Sequence, residues 1–350
     1  MYKAVGSRLV AVMRRSLDKA EDFARRHKVD RFYSSVEDLL QDPQVNAVYI
    51  ASPVGVHVEH ALAAAKAGKP TLLEKPIARC EEEAMTIVKA FEAAKVPLWV
   101  AYYRRAHPTW VKLRSMLEQE ELGEIRWVEY SLDCEISDDV ADFVASNGAA
   151  PLPWRLDPQM SGGGLAMDVG VHAMDLLSYL LGNVEVTSTR VSQSAAYKFT
   201  PVEDYVLCNL SCTGYQSEAI PGIARWDFAQ PKGRGKREML RIVGTNKIVE
   251  AKPLASDGLR IFSHRADGTV AVQNVALPPS EHVHQNLIQS CVNELLGQNE
   301  TRTGPGLLAL PRCPSTGQTG LAATRVLDQA LMPHYGGDRS AERWSQSQAK

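Results

Sequence analysis

From residue 8 to residue 101 the chain alternates short apolar runs with amphipathic helical stretches, and that rhythm leaves few folds open. Residues 8–13 (RLVAVM), 47–51 (AVYIA), 71–73 (TLL) and 98–101 (LWVA) are brief runs with little polar alternation, and 31–34 is a further extended piece. Such runs read as strands covered on both faces. Helix signals lie between them. Ser16 precedes 17–27, with Asp18 and Glu21 in the first turn, and Ser35 followed by Asp38 opens a short helix to Gln41. Residues 56–67 make a helix closed by Gly68, and 80–94 make another. Strands alternating with helices across short links predict a doubly wound parallel sheet.

After Arg104 the rhythm changes. Residues 107–120 read as a helix ended by Gly123, and 125–132 alternates as a half-buried antiparallel strand does. Residues 133–153 are polar and read as a loop or insert. Long alternating runs follow at 185–192, 205–212, 216–228, 237–243, 247–251, 260–264 and 270–276, several separated by Gly-containing turns. They predict a sheet of about six antiparallel strands with one apolar face. Helices are expected at 281–296 and 320–330, with a frayed polar tail from Gly336. The expected division is 1–104 for the parallel half and 105–350 for the rest. A chain of 350 residues suits about two domains.

Composition excludes several partners. Lys and Arg number 39 against 41 Asp and Glu, a net charge of −2, so no basic field invites nucleic acid or anionic lipid. No uninterrupted apolar run reaches a membrane-spanning length, and the apolar core of the N-terminal stretch is too short for a signal peptide. None of the six cysteines forms a CxxC. Cys208 and Cys212 on one strand would stand roughly 13 Å apart, too far to share a metal. Reduced thiols and a cytoplasmic location are the expectation. The His57/His60 and His282/His284 pairs have no Cys or carboxylate spaced to complete a metal site, so none is expected.

Two stretches carry residues with chemistry. In 161–181 (SGGGLAMDVGVHAMDLLSYLL) three glycines lead into an apolar run with Asp168 and His172 four residues apart. On a helix that spacing puts a carboxylate and an imidazole on one face. The pair suits proton transfer; it equally suits a capping aspartate and a core histidine. Lys75 follows Glu74 at the carboxyl end of the 71–73 strand, where doubly wound sheets bind ligands. Pro76 biases Lys75 away from helix. By spacing alone Lys75 also reads as a surface lysine before a turn.

Four blocks, in order, resemble the Gfo/Idh/MocA oxidoreductases: ASPVGVHVEHALAAAKAGK at 51–69, LLEKPIA at 72–78, PWRLDPQMSGGGLAMDVGVHAMDLLSYLLG at 153–182 and REMLRIVGTNKIVE at 237–250. The resemblance implies an NAD(P)-binding Rossmann domain and a C-terminal α/β domain whose large, mostly antiparallel open sheet joins copies into a homo-oligomer. It implies hydride transfer between the nicotinamide and a secondary alcohol or ketone carbon of a sugar, polyol or diol. Lys75, Asp168 and His172 become the catalytic set: Lys75 near the nicotinamide and the reacting hydroxyl, His172 as general base, and Asp168 orienting the imidazole or bonding substrate. Ser52, Pro53 and His57 would lie along the cofactor, with Glu74, Trp154 and Arg155 toward its nicotinamide end. Arg14, Arg15 and Ser16 stand where the family usually has an acidic residue for the NAD ribose, which favours NADP(H) over NAD(H). Tyr103 stands where the family often has Asn.

The chain departs from the family in one respect. It contains no Gly-x-Gly-x-x-Gly loop, and residues 8–13 align with the family's second strand. The expected Rossmann sheet is therefore incomplete by a strand and crossover helix, about 25–30 residues. A truncated gene model, an alternative start and a true loss of the loop all fit this pattern. The alternative function is a non-catalytic or regulatory homologue, or a shortened form with impaired cofactor binding.

Overall fold

A computed structural model describes residues 4–278, 280–298, 308 and 310–345. The parallel half opens with β1 (Ala11–Met13), α1 (Leu17–His27), β2 (Arg31–Tyr33) and α2 (Val36–Gln41). It continues with β3 (Val48–Ile50), α3 (His57–Lys66), β4 (Thr71–Leu73), α4 (Glu81–Ala94) and β5 (Leu98–Val100). Ser16 and Ser35 cap α1 and α2 by accepting from the backbone N–H of Lys19 and Asp38, at 3.4 and 3.2 Å. Every strand pair here is parallel, but in two pieces: β1 with β2, and β3-β4-β5. The edges of β1 and β3 have no strand partner among the described residues.

The second half comprises α5 (Pro108–Glu118), β6 (Ile125–Glu135), α6 (Asp138–Ala145), α7 (Pro158–Ser161), α8 (Val171–Leu181), β7 (Gly182–Ser192), β8 (Tyr205–Gly214), β9 (Ile220–Gln230), β10 (Arg237–Gly244), β11 (Lys247–Ala251), β12 (Leu259–His264), β13 (Val270–Val275), α9 (Gln285–Leu295), α10 (Gly317–Leu331) and α11 (Ala341–Ser345). Its strands form one eight-stranded sheet, ordered β13-β12-β11-β10-β6-β9-β8-β7. The sheet is larger than the six antiparallel strands expected, and β6 and β9 run parallel. A parallel neighbour needs a long crossover, and the helices and hairpin between β6 and β9 supply one. Val128, Tyr130 and Leu132 of β6 and Ala224, Trp226 and Phe228 of β9 point into the core shared with α8. The other face carries half-buried Leu207, Ile223 and Met239 among Arg225, Arg241 and Glu250.

Helix α10 joins the halves, touching α4 and β5 on one side and α8 and β7 on the other. Gly320 permits the approach to β5: a Cβ there would lie 2.6 Å from Val100 Cγ2.

Two further expectations are corrected. The 133–153 insert contains α6, whose Val140 and Phe143 are buried. The tail after Gly336 is docked through Arg343, with Arg339 buried and donating to Asp328 Oδ1 at 2.7 Å and Gly162 O at 2.7 Å. Composition reads such a segment as solvated because a buried arginine is stable only with a partner the local sequence does not show. Residues Pro158–Leu181 are long and apolar enough by composition to cross a membrane, and most of the stretch is buried inside the protein, as a core helix is.

Candidate active site

Strand β4 delivers Glu74 and Lys75 at its carboxyl end, and the Lys75–Pro76 peptide is cis. Lys75 Nζ donates to the main-chain oxygen of Asp168 at 2.7 Å and to its Oδ1 at 2.8 Å. Arg155 Nε donates to Asp168 Oδ2 at 3.1 Å, and its guanidinium lies over the Trp154 ring, 4.4 Å from the centroid. Burial alone would raise the Asp168 carboxyl; the Lys75 ammonium and then Arg155 outweigh it and hold the group below its ordinary value. Asp168 is thus an anion flanked by two cations.

The glycine loop sets this up. Gly162 has φ +77°, and a Cβ on it would lie 2.4 Å from Arg79 O. Gly164 N donates to Glu203 Oε1 at 3.0 Å. Ala166–Gly170 then makes a π turn before α8 begins. The bonds of Asp168 correct the expectation that it orients His172. Its two carboxylate oxygens accept from Lys75 and Arg155, and no hydrogen bond joins Asp168 to His172 among the described residues.

His172 is buried, and its Nδ1 has no hydrogen-bond partner among the described residues. Tyr102 and Tyr103 stand edge-on to the ring at 6.2 and 5.6 Å. Burial, followed by the charges of Arg104 and Lys75, pushes its pKa well below 6.5. The imidazole is neutral at neutral pH, the form a general base needs. With Nδ1 enclosed, proton exchange with a ligand runs through Nε2.

The cofactor-side residues divide. Arg14 and Arg15 are exposed beyond β1, and the Arg14 guanidinium lies 5.3 Å from the centroid of the Phe23 ring. Ser16 caps α1. Ser52 Oγ lies 3.2 Å from His60 Nδ1, and Pro53 leads into the turn before α3. His57 departs from its expected place along a ligand. It is fully buried, with Nε2 2.9 Å from Ser52 O and Nδ1 3.1 Å from Pro76 O. It pins the loop after β3 to the turn after Lys75. Glu74 Oε1 accepts from the Tyr49 hydroxyl and lies 4.0 Å from His284 Nδ1.

Two neighbours escaped the sequence reading. His284, from the segment before α9, lies 4.9 Å from the Tyr103 ring and 3.5 Å from the Tyr49 hydroxyl. Arg104 is buried, donates from Nε to Pro253 O at 2.9 Å and lies over Tyr103 at 4.7 Å. Adjacent Arg105 pairs instead with Asp175 at 2.8 Å. No local signal separates these two arginines, and His284 meets Tyr49 across 235 residues. Among the described residues no cluster of three metal-ligating side chains occurs.

The strand ends of β1, β3 and β4 present cations, a hydroxyl and Lys75 on the side where such sheets hold ligands. Lys75 and the His172 imidazole are a set that fits the nicotinamide half of a dinucleotide, and Arg14, Arg15 and Ser16 one that fits its ribose end. The glycine turn that receives a pyrophosphate is absent from the sequence.

A parallel β/α half with Lys75 at a strand end, joined to an open-sheet half that carries Asp168 and His172, defines a two-domain protein of the α/β class. Residues 2–102 match the family described as "Oxidoreductase family, NAD-binding Rossmann fold", and residues 110–250 match the "GFO/IDH/MocA C-terminal domain". The chain belongs to the Gfo/Idh/MocA oxidoreductase family. It is 37% identical over 184 residues to Oxidoreductase P35 of Formosa agariphila, covering 53% of this chain and 56% of that protein. It is 30% identical over 210 residues to the 1,5-anhydro-D-fructose reductase of Ensifer adhaerens, covering 59% and 58%. The chain spans about half the length of the curated relatives it matches. In structure it resembles levoglucosan dehydrogenase in complex with NADH, at a TM-score of 0.78 and 20% identity over 94% of this chain and 88% of that one. That likeness is one of fold.

Proposed function

We propose that the protein is an NAD(P)-dependent oxidoreductase acting on a secondary alcohol or ketone carbon of a sugar, polyol or diol. The observation that carries this reading is the Lys75–Asp168 bond beside a neutral His172. A bound nicotinamide would supply the hydride acceptor or donor. In the oxidising direction Lys75 bonds the alcohol oxygen, and His172 takes the hydroxyl proton at Nε2 as the C–H electron pair leaves as hydride and C=O forms. Reduction runs the same steps backward. Asp168 acts by fixing the Lys75 ammonium. Trp154, Arg155, Glu74, Ser52 and Pro53 line the cofactor's course.

Two exposed arginines at the end of β1, with no ion pair there among the described residues, support NADP(H) over NAD(H). Self-association through the open face of the eight-stranded sheet, a functional division at 104/105 and a cytoplasmic location belong to the same reading. The second reading, a homologue with impaired cofactor binding, draws on the unpartnered edges of β1 and β3. Thermal-shift and fluorescence titrations with NADPH and NADH separate the two. Saturable binding supports the dehydrogenase; no response to either at millimolar concentration leaves the second reading.

A further inference from the structure

Arg79, Arg104, Arg105 and Arg339 are buried. Three of them meet a carboxylate: Arg79 with Glu83, Arg105 with Asp175 at 2.8 Å and Arg339 with Asp328 at 2.7 Å. Arg104 is the most buried, at 2% exposure, and is the one of the four without an ion pair among the described residues. Its Nε donates to a carbonyl, and its Nη1 has no partner among the described residues. A guanidinium taken out of water without a carboxylate is costly, and a fold retains one where an anion arrives to complete it. Glu238 feels the charge of Arg104 but is engaged by the Tyr130 hydroxyl at 2.9 Å and by Leu254 N at 2.7 Å.

Arg104 belongs to the site just described. Its guanidinium, the His172 imidazole and the His284 imidazole lie 4.7, 5.6 and 4.9 Å from the Tyr103 ring centroid. The groups bearing electrostatically on His172 are Arg104, Lys75 and His284, all basic. The carboxylates on this side are engaged: Asp168 by Lys75 and Arg155, Asp175 by Arg105, and Glu74 by the Tyr49 hydroxyl. Beside Pro253, whose carbonyl accepts from Arg104, opens a cleft of about 350 Å³ lined by Lys236, Arg237 and Lys252 together with Glu238. Three basic residues and one carboxylate line that cleft.

We propose that Arg104 receives an anionic group of the substrate, so that the alcohol presented to Lys75 and His172 belongs to a sugar acid or a related polyhydroxy acid. The inference rests on the dehydrogenase reading and adds the substrate's charge to it. The Tyr103 ring fixes the plane of the guanidinium, and a carboxylate matches the planar fork better than a neutral hydroxyl does.

The test is calorimetric titration of the full chain, with and without NADH, using matched probes: D-gluconate against D-glucitol and D-glucuronate against D-glucose. Each acid is expected to bind about tenfold more tightly than its neutral partner, with the ratio shrinking as salt rises. Arg104→Met is expected to bring the ratio to about 1, and Arg104→Lys to keep part of it. Equal affinity of acid and neutral partner in the wild type, or no binding of either acid, overturns the proposal. A variant that retains the full ratio overturns it too. Where Arg104→Met does not fold, Arg104→Lys and the wild-type salt titration decide. A chain that ignores NADH removes the dehydrogenase reading, and the ratio measured without NADH still decides the role of Arg104.

Discussion

Lys75 and Asp168, 93 residues apart in sequence, meet through two hydrogen bonds, one to the aspartate's main-chain oxygen and one to its side chain. The lysine is therefore held to the backbone of the π turn as well as to a charge. Asp168→Asn keeps the main-chain bond and removes the anion. The expected result is a fall in kcat of about 10²-fold with little change in nicotinamide affinity. Steady-state kinetics beside a binding titration checks it; unchanged kcat would show that Asp168 has no part in turnover.

His172→Ala removes the proposed base. Turnover is expected to vanish while nicotinamide still binds. Activity near the wild-type level would take His172 out of the mechanism.

Arg14→Ala with Arg15→Ala tests the cofactor's ribose end. NADPH affinity is expected to fall about 10-fold or more, with NADH nearly unaffected. Equal losses for the two would argue against recognition of a 2′-phosphate.

Acid stability follows from the buried histidines. His107 is pushed down to about 4, by burial first and by the Arg104 charge second. Its folded pKa lies below the unfolded value of about 6.5, so the unfolded chain binds the extra proton between the two. The stabilisation is complete above pH 6.5 and is lost as pH falls toward 4. Asp175, raised to about 6 by burial, acts in the opposite sense over part of this range. Comparison with His107→Gln isolates the histidine: the variant's Tm should decline less steeply between pH 6.5 and 4. Parallel Tm curves would refute the assignment.

Arg339→Met leaves Asp328 buried without its cation and frees Gly162 O. A loss of about 3–5 kcal/mol is expected, read by urea unfolding. A loss below about 1 kcal/mol would mean that water or another group replaces the arginine.

Much of the site was legible in the sequence, but its wiring was not. Glu74-Lys75-Pro76 at a strand end and the Asp168/His172 spacing point to the right neighbourhood because strand ends and helix faces are local properties. Whether Asp168 bonds His172 or Lys75 is decided by partners 93 and 13 residues away, and no local pattern shows them. Arg104 and Arg105 are the same residue type one position apart, and only the distant Asp175 distinguishes them. His57 sits in a block that points toward cofactor, yet its ring is bound to carbonyls of two loops. The fold shows the same division. The alternation of strands and helices survived as individual elements, whereas the break between β1 and β3 and the parallel contact of β6 with β9 concern which distant edges meet.

The hold of Arg339 on the glycine loop bears on the order in which the protein is made. Lys75 and Asp168 leave the ribosome long before Arg339 does. A nascent chain therefore carries every proposed catalytic group while the loop ahead of Asp168 still lacks the donor to Gly162 O. The last part of the site to be set in place is made after all the residues that react, so a chain interrupted before Arg339 keeps the chemistry and lacks the frame.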